Sequence, residues 1–186
     1  MKILVDRLKA TPERYTFEAE PGWWQEVGPS LGILPEAVLD TFRLEMQAYT
    51  LGEELFFDGE VKGALELSCS RCLVGYREEI RESFRLLLEP VGDRLPAEPA
   101  AAAMLAAEGM CLSDELGTGW YKGAEVTLNE FFREVLALAL PAKPLCRDEC
   151  LGLCPQCGVD RNTEPCTCTK TNPLSPFAVL GSLRKD

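Results

Sequence analysis

Six of the nine cysteines fall in the last third of the chain: Cys146, Cys150, Cys154, Cys157, Cys166 and Cys168, spaced C-x3-C-x3-C-x2-C-x8-C-x-C. Two more, Cys69 and Cys72, form a further C-x2-C far upstream. Thiolates two residues apart can hold one face of a tetrahedral ion. Two such pairs close the coordination sphere, which is the pattern of a structural zinc site. Eight thiols in this arrangement imply one or two structural Zn2+ ions. The chain has no histidine, so any metal centre must rest on sulfur, with carboxylates a poor second. Ser-His, Cys-His and two-His-one-carboxylate chemistry is excluded with it.

Cys154-Pro155-Gln156-Cys157-Gly158 reads as a metal knuckle. The proline limits the loop, and the glycine lets the backbone turn its amides toward sulfur. Cys166 and Cys168 follow across an eight-residue loop and can complete that sphere. Cys69 and Cys72 resemble a second knuckle that needs two more ligands, with Cys146 and Cys150 the obvious donors. In an alternative division, Cys146, Cys150, Cys154 and Cys157 form one local site. A competing chemistry makes Cys69 and Cys72 the pair of a thiol oxidoreductase. Thioredoxin-like pairs, however, open a helix whose dipole lowers the thiolate pKa, whereas this pair joins two stretches of strand pattern. Cys111 stands alone and reads as an inert thiol.

These residues need a scaffold, and the patterning predicts an α+β fold built on an antiparallel meander. Lys2–Leu8 and Tyr15–Glu20 read as short strands, and Trp23–Val27 as one or two helical turns before Gly28-Pro29. From Val38 to Ser68 apolar residues recur with period two; Asp58-Gly59 is a candidate bend. Val74–Glu89 resumes the alternation, so Cys69–Cys72 becomes the third turn of the meander. A helix over Glu78–Leu88 is the alternative. The Ala-rich, mostly acidic stretch after Pro90 reads as a flexible or partly helical insertion. Thr127 and Glu130 have capping-box spacing, and Leu128–Leu140 reads as a helix that docks the cysteine-rich lobe onto the sheet. Pro176–Leu183 reads as a last helical turn or a partner-binding tail. Three parts follow: a β-rich part over 1–90, an insertion or linker over 91–124, and a helix with the metal lobe and tail over 125–186. The last is expected to form one folded unit with the first.

With 186 residues and a net charge of −11, the chain is a poor general nucleic-acid binder, because phosphate contacts need surplus Lys and Arg. The acid is concentrated: Glu89–Glu130 holds eight Asp and Glu against Arg94 and Lys122, while Pro141–Asp186 is near neutral. An acidic body suits a basic protein partner. Arg71, Arg77, Arg81 and Arg85 are interleaved with glutamates and read as a solvated strand face. Trp23, Trp24 and Trp120 read as core or interface anchors. The first residues lack a signal-peptide layout, and no apolar run is long enough to span a bilayer. A cytoplasmic protein without membrane contact is expected; in a reducing compartment clustered cysteines ligate metals rather than pair as disulfides.

The motifs combine as L-x-C-x-R-C-L (Leu67–Leu73), an acidic stretch, L-A-L-P-x-x-P-L-C (Leu138–Cys146), C-x-G-L-C-P-x-C-G (Cys150–Gly158) and C-x-C (Cys166–Cys168). This combination resembles the YceD family, the large ribosomal RNA subunit accumulation proteins of bacteria and plastids. The resemblance covers nearly the whole chain, with specific motifs at Leu67–Leu73 and from Leu138 onward. The family usually shows N-L-N after the C-P-x-C-G knuckle; here Val159-Asp160-Arg161-Asn162 stands there. Some relatives keep C-x-R-C and lose the C-terminal ribbon, which implies that the two cysteine groups can be separate sites. The resemblance implies a non-enzymatic ribosome-biogenesis factor that supports synthesis, processing or accumulation of large-subunit (23S) ribosomal RNA. Its partners would be ribosomal RNA, or ribosomal or RNA-processing proteins, reached directly or indirectly; an acidic adaptor for a basic ribosomal or RNA-processing protein is the alternative. No catalytic residues carry over.

Overall fold

The computed structural model describes residues 1–92, 96, 98–113 and 117–168. The apolar segment Pro176–Leu183 lies outside them. Long alternating runs give three long strands: β3 (Val38–Leu51), β4 (Glu54–Ser68) and β5 (Gly75–Pro90). With β1 (Lys2–Leu4), β2 (Glu13–Glu18), β6 (Met110–Leu112), β7 (Thr118–Tyr121) and β8 (Glu125–Thr127), they make two sheets. The main sheet has six strands in the order β2-β3-β4-β5-β7-β6; β1 and β8 form a two-stranded ribbon. All pairings are antiparallel except β5–β7. Three helices complete the described fold: α1 (Pro21–Leu31), α2 (Pro99–Glu108) and α3 (Asn129–Ala139).

Period-two alternation fixes which face is buried. Phe42, Leu44 and Met46 of β3, Phe57 and Val61 of β4, and Ile80, Leu86 and Leu88 of β5 line one face and are fully or almost fully buried. α1 and α3 cover that face. Trp24 meets Phe42 edge-on at 5.0 Å, and Phe84 takes Phe131 and Phe132 of α3 edge-on at 5.3 and 5.5 Å. The other face carries the charges. Arg43 pairs with Glu18, Arg77 with Asp40, Arg81 with Glu60 and Arg85 with Asp58. Arg77, Arg81 and Arg85 thus lie on the solvated strand face expected of them; Arg71 does not, because it falls in the turn between β4 and β5.

Several local expectations are corrected. Asp58-Gly59 is no bend: β4 runs straight through it, with Gly59 opposite Met46. A Cβ on Gly59 would lie 2.4 Å from the Glu45 carbonyl oxygen, so this glycine serves close strand approach rather than a turn. The hairpin instead turns at Gly52, whose φ is +66°. Gly28-Pro29 does not end α1, which runs to Leu31 and is closed by Gly32 at φ +68°. The first strand stops at Leu4, where a short 3-10 turn, Val5–Arg7, begins.

The capping box is not made either. Thr127 ends β8, and α3 starts without a side-chain cap. The Met1 carbonyl takes the Leu128 N–H at 2.9 Å and the Met1 amine donates to Asn129 Oδ1 at 2.7 Å, while Glu130 pairs with Arg133. Residues 91–124 supply a helix and two strands to the architecture. Met110 points into the main core and its neighbour Cys111 to the opposite face, where α2 packs Ala101, Met104 and Leu105 against Val91, Cys111 and Trp120. Among the described residues, no helix is long and apolar enough to cross a membrane.

Candidate metal centres

The β4–β5 connection, residues 69–74, and the loop after Cys154 repeat one backbone design. In each, the N–H of the first cysteine donates to a carbonyl five residues on: Cys69 to Val74 at 3.0 Å, Cys154 to Val159 at 2.8 Å. The fifth residue closes back on the first cysteine's carbonyl, Leu73 to Cys69 and Gly158 to Cys154, both at 2.9 Å. The third points its N–H at the first sulfur, Arg71 to Cys69 Sγ at 3.4 Å and Gln156 to Cys154 Sγ at 3.5 Å. The fifth position requires a left-handed backbone, with φ of +62° at Leu73 and +75° at Gly158. Glycine takes this at little cost; leucine is strained there.

Each knuckle meets a second pair. Cys69, Cys72, Cys146 and Cys150 form one group and Cys154, Cys157, Cys166 and Cys168 another, with the four sulfurs of each within 4.8 Å of one another. The one-site alternative, Cys146 and Cys150 together with Cys154 and Cys157, is not what the chain brings together. Sulfur separations are 3.8 Å for Cys69–Cys150 and 3.7 Å for Cys72–Cys146. In the second group they are 3.7 Å for Cys157–Cys166 and 3.3 Å for Cys154–Cys166. A tetrahedron of sulfurs about 2.3 Å from a zinc ion has edges of about 3.8 Å. A disulfide would bring two sulfurs to about 2.05 Å, and all nine cysteines are free thiols. Both groups therefore fit a tetrahedral, all-sulfur ion.

The two centres differ in exposure. Cys69, Cys72 and Cys150 are buried, with Leu145, Leu153 and Tyr76 packed around them. Cys154 is buried in the second group, but Cys157 is exposed. Backbone N–H groups draw one thiol of each centre down to a pKa of about 6. For Cys69 the Cys146 amide contributes most, for Cys154 the Cys157 amide. Burial and the neighbouring thiols push Cys146 up to about 12; the thiols of Cys157 and Cys166, with burial, push Cys168 to about 12. Cys69 and Cys154 are thus favoured as thiolates, while Cys146 and Cys168 resist ionising beside them. A divalent cation removes that conflict, because a coordinating thiol is deprotonated outright.

Two polar residues tie the loops together: Arg71, which the sequence placed on a solvated strand face but which lies in the turn between β4 and β5, and Asn162, to which sequence reasoning gave no role. Arg71, inside the first knuckle, donates from Nη1 to the carbonyls of Asp148 and Cys150 at 3.1 and 2.8 Å. Its own carbonyl accepts the Leu153 N–H at 2.8 Å. Asn162, in the loop before Cys166, lies 3.5 Å from Cys150 Sγ through Nδ2. The R of C-x-R-C and the final N of N-L-N were the available signals. Cys111 stays apart, its thiol pKa raised by burial.

A family model described as large ribosomal RNA subunit accumulation protein YceD matches residues 57–184. The chain belongs to the YceD family. The matched span contains both cysteine groups and the elements β5 to β8, α2 and α3. An uncharacterised protein of Mycobacterium tuberculosis is 30% identical over 129 residues, covering 69% of this chain and 54% of the relative. The chloroplastic large ribosomal RNA subunit accumulation protein YCED homolog 1 of Arabidopsis thaliana is 25% identical over 154 residues, covering 72% of this chain and 45% of the relative. The chain spans about half the length of these curated relatives. No solved structure matches it. The family's description names accumulation of the large ribosomal RNA subunit, and the two cysteine groups have the donor set to hold metal.

Proposed function

We propose that this protein is a non-catalytic ribosome-biogenesis factor that supports synthesis, processing or accumulation of large-subunit ribosomal RNA. In this reading it works in the cytoplasm, and two structural zinc ions staple its C-terminal lobe. Cys69, Cys72, Cys146 and Cys150 hold one ion; Cys154, Cys157, Cys166 and Cys168 hold the other. The observation that carries the metal reading is the pair of four-sulfur groups with tetrahedral spacing. Four protein ligands leave no open position for substrate, which favours a structural over a catalytic ion. The family supports the ribosomal role. Deleting the protein should lower mature large-subunit relative to small-subunit ribosomal RNA, and the full chain should restore the ratio. An unchanged ratio in the deletion strain defeats the assignment.

The charge distribution favours a particular route to RNA. On the described strand face, Arg43, Arg77, Arg81 and Arg85 each face a carboxylate, so they are poorly placed to release phosphate counterions. Action through a basic ribosomal or RNA-processing protein is the second reading. Salt-sensitive capture of such a protein, without RNA, distinguishes it.

A further inference from the structure

We infer that the two centres are energetically coupled and that Asn162 is the positioning residue that joins them; this rests on the metal reading above. Asn162 belongs by sequence to the second centre, in the loop between Cys157 and Cys166. Its side chain nevertheless works on the first. Nδ2 points at Cys150 Sγ at 3.5 Å, while Oδ1 accepts the Leu151 N–H at 2.9 Å and Arg147 Nη2 at 2.8 Å. The amide is held from behind by Asp160, whose Oδ1 takes both the Asn162 N–H at 2.9 Å and Nδ2 at 2.6 Å. Around it the backbones are tied: Arg161 N–H to the Gly152 carbonyl at 3.0 Å, and Leu153 bridged to Asp160.

The loop 147–153, which presents Cys150, is therefore clasped on both sides. Arg71 of the first knuckle holds one side, through the Asp148 and Cys150 carbonyls. Asp160 and Asn162 hold the other, on a loop whose far end closes where Cys166 and Cys168 meet Cys154 and Cys157. An ion in the second centre fixes that closure, and so fixes an N–H donor beside a ligand of the first. Groups that orient a metal's ligands typically change affinity by about 10–100-fold when removed. Linkage makes the effect reciprocal: whatever the second ion adds to the first, the first adds to the second.

The test is a double-mutant cycle on the full chain, with Co2+ and Zn2+ as probes and thiolate-to-cobalt absorption as readout. The background lesion is Cys166→Ser with Cys168→Ser, which removes the second centre. It should weaken the ion on Cys69, Cys72, Cys146 and Cys150 by about tenfold or more. In an Asn162→Ala background the same lesion should change that affinity by less than about twofold, because the link is already cut. Asn162→Asp keeps an acceptor for Leu151 and Arg147 but sets a carboxylate against a thiolate, so it should fail to restore the coupling. If the first centre's affinity is the same with and without the second, the coupling is wrong. If the lesion's effect survives Asn162→Ala undiminished, Asn162 is not the link. If the unmutated chain binds no cobalt through sulfur, the metal reading itself falls, which the absorption shows before any variant is made.

Discussion

Leu73 and Gly158 occupy equivalent positions in two knuckles of one hydrogen-bond pattern, yet only glycine suits that backbone. The left-handed conformation costs a β-carbon roughly 1–2 kcal/mol. Leu73 recovers little of this by burial, since it is 66% exposed. Leu73→Gly should therefore stabilise the metal-loaded protein by about 1 kcal/mol, with Gly158→Leu destabilising by a similar amount; denaturant midpoints in excess zinc measure both. The thiols carry a pH dependence of definite sign. Cys69 and Cys154 are held at about 6, below the ordinary thiol value. Their contribution to the folded state is present above the ordinary thiol range and is lost as pH falls through about 6. Loading also forces protons off Cys146 and Cys168, which hold theirs to about 12 without metal. Zinc addition near neutral pH should release protons into weak buffer, and affinity should fall steadily as the solution is acidified. At this scale the cysteines were legible because their spacing is itself the signal. Arg71 and Asn162 were not, because a lone polar residue does not announce which distant carbonyl or sulfur it will meet.

The long strands were legible for the same reason: β3, β4 and β5 alternate over many residues, and the knuckle sits between two of them as expected. The short elements were not. β6 and β7 have three and four residues, too few for a period to emerge from Ala-rich, acidic surroundings. The start of α3 misled differently. Thr127 and Glu130 have capping-box spacing, but pairing of β8 with β1 holds Thr127 in extended backbone opposite Lys2. α3 owes its place to packing rather than to its cap. Phe132 is 1% exposed and lies against Phe84 and Phe131, so Phe132→Ala should cost about 3–5 kcal/mol. Thr127→Ala should cost less than about 0.5 kcal/mol, where a true cap would cost about 1. Thermal or denaturant unfolding of the two variants distinguishes packing from capping.

Across the whole molecule, the apolar core and the first metal centre are separate clusters: the first fills the space between sheet and helices, and the second gathers around Cys69, Cys72 and Cys150. They meet through covalent continuity, where β4 and β5 run out of the sheet into the knuckle; the Ser70 N–H, donating to the Pro144 carbonyl at 2.8 Å, ties that knuckle to the segment leading to Cys146. The sheet has its own buried face and does not need the metal to exclude water. The loops from Pro141 to Cys168 hold no strand or helix longer than a single bridge and depend on the sulfurs for their shape. Structural zinc can supply on the order of 10 kcal/mol to such a fold. Cys157→Ser should then raise amide exchange sharply between Cys146 and Cys168. A smaller rise should reach residues 69–74 through Asn162 and the 147–153 loop, while β3, β4 and the sheet-bound part of β5 stay protected. Hydrogen exchange resolved by residue is the measurement. An equal rise in sheet and lobe would mean that they unfold as one cooperative unit.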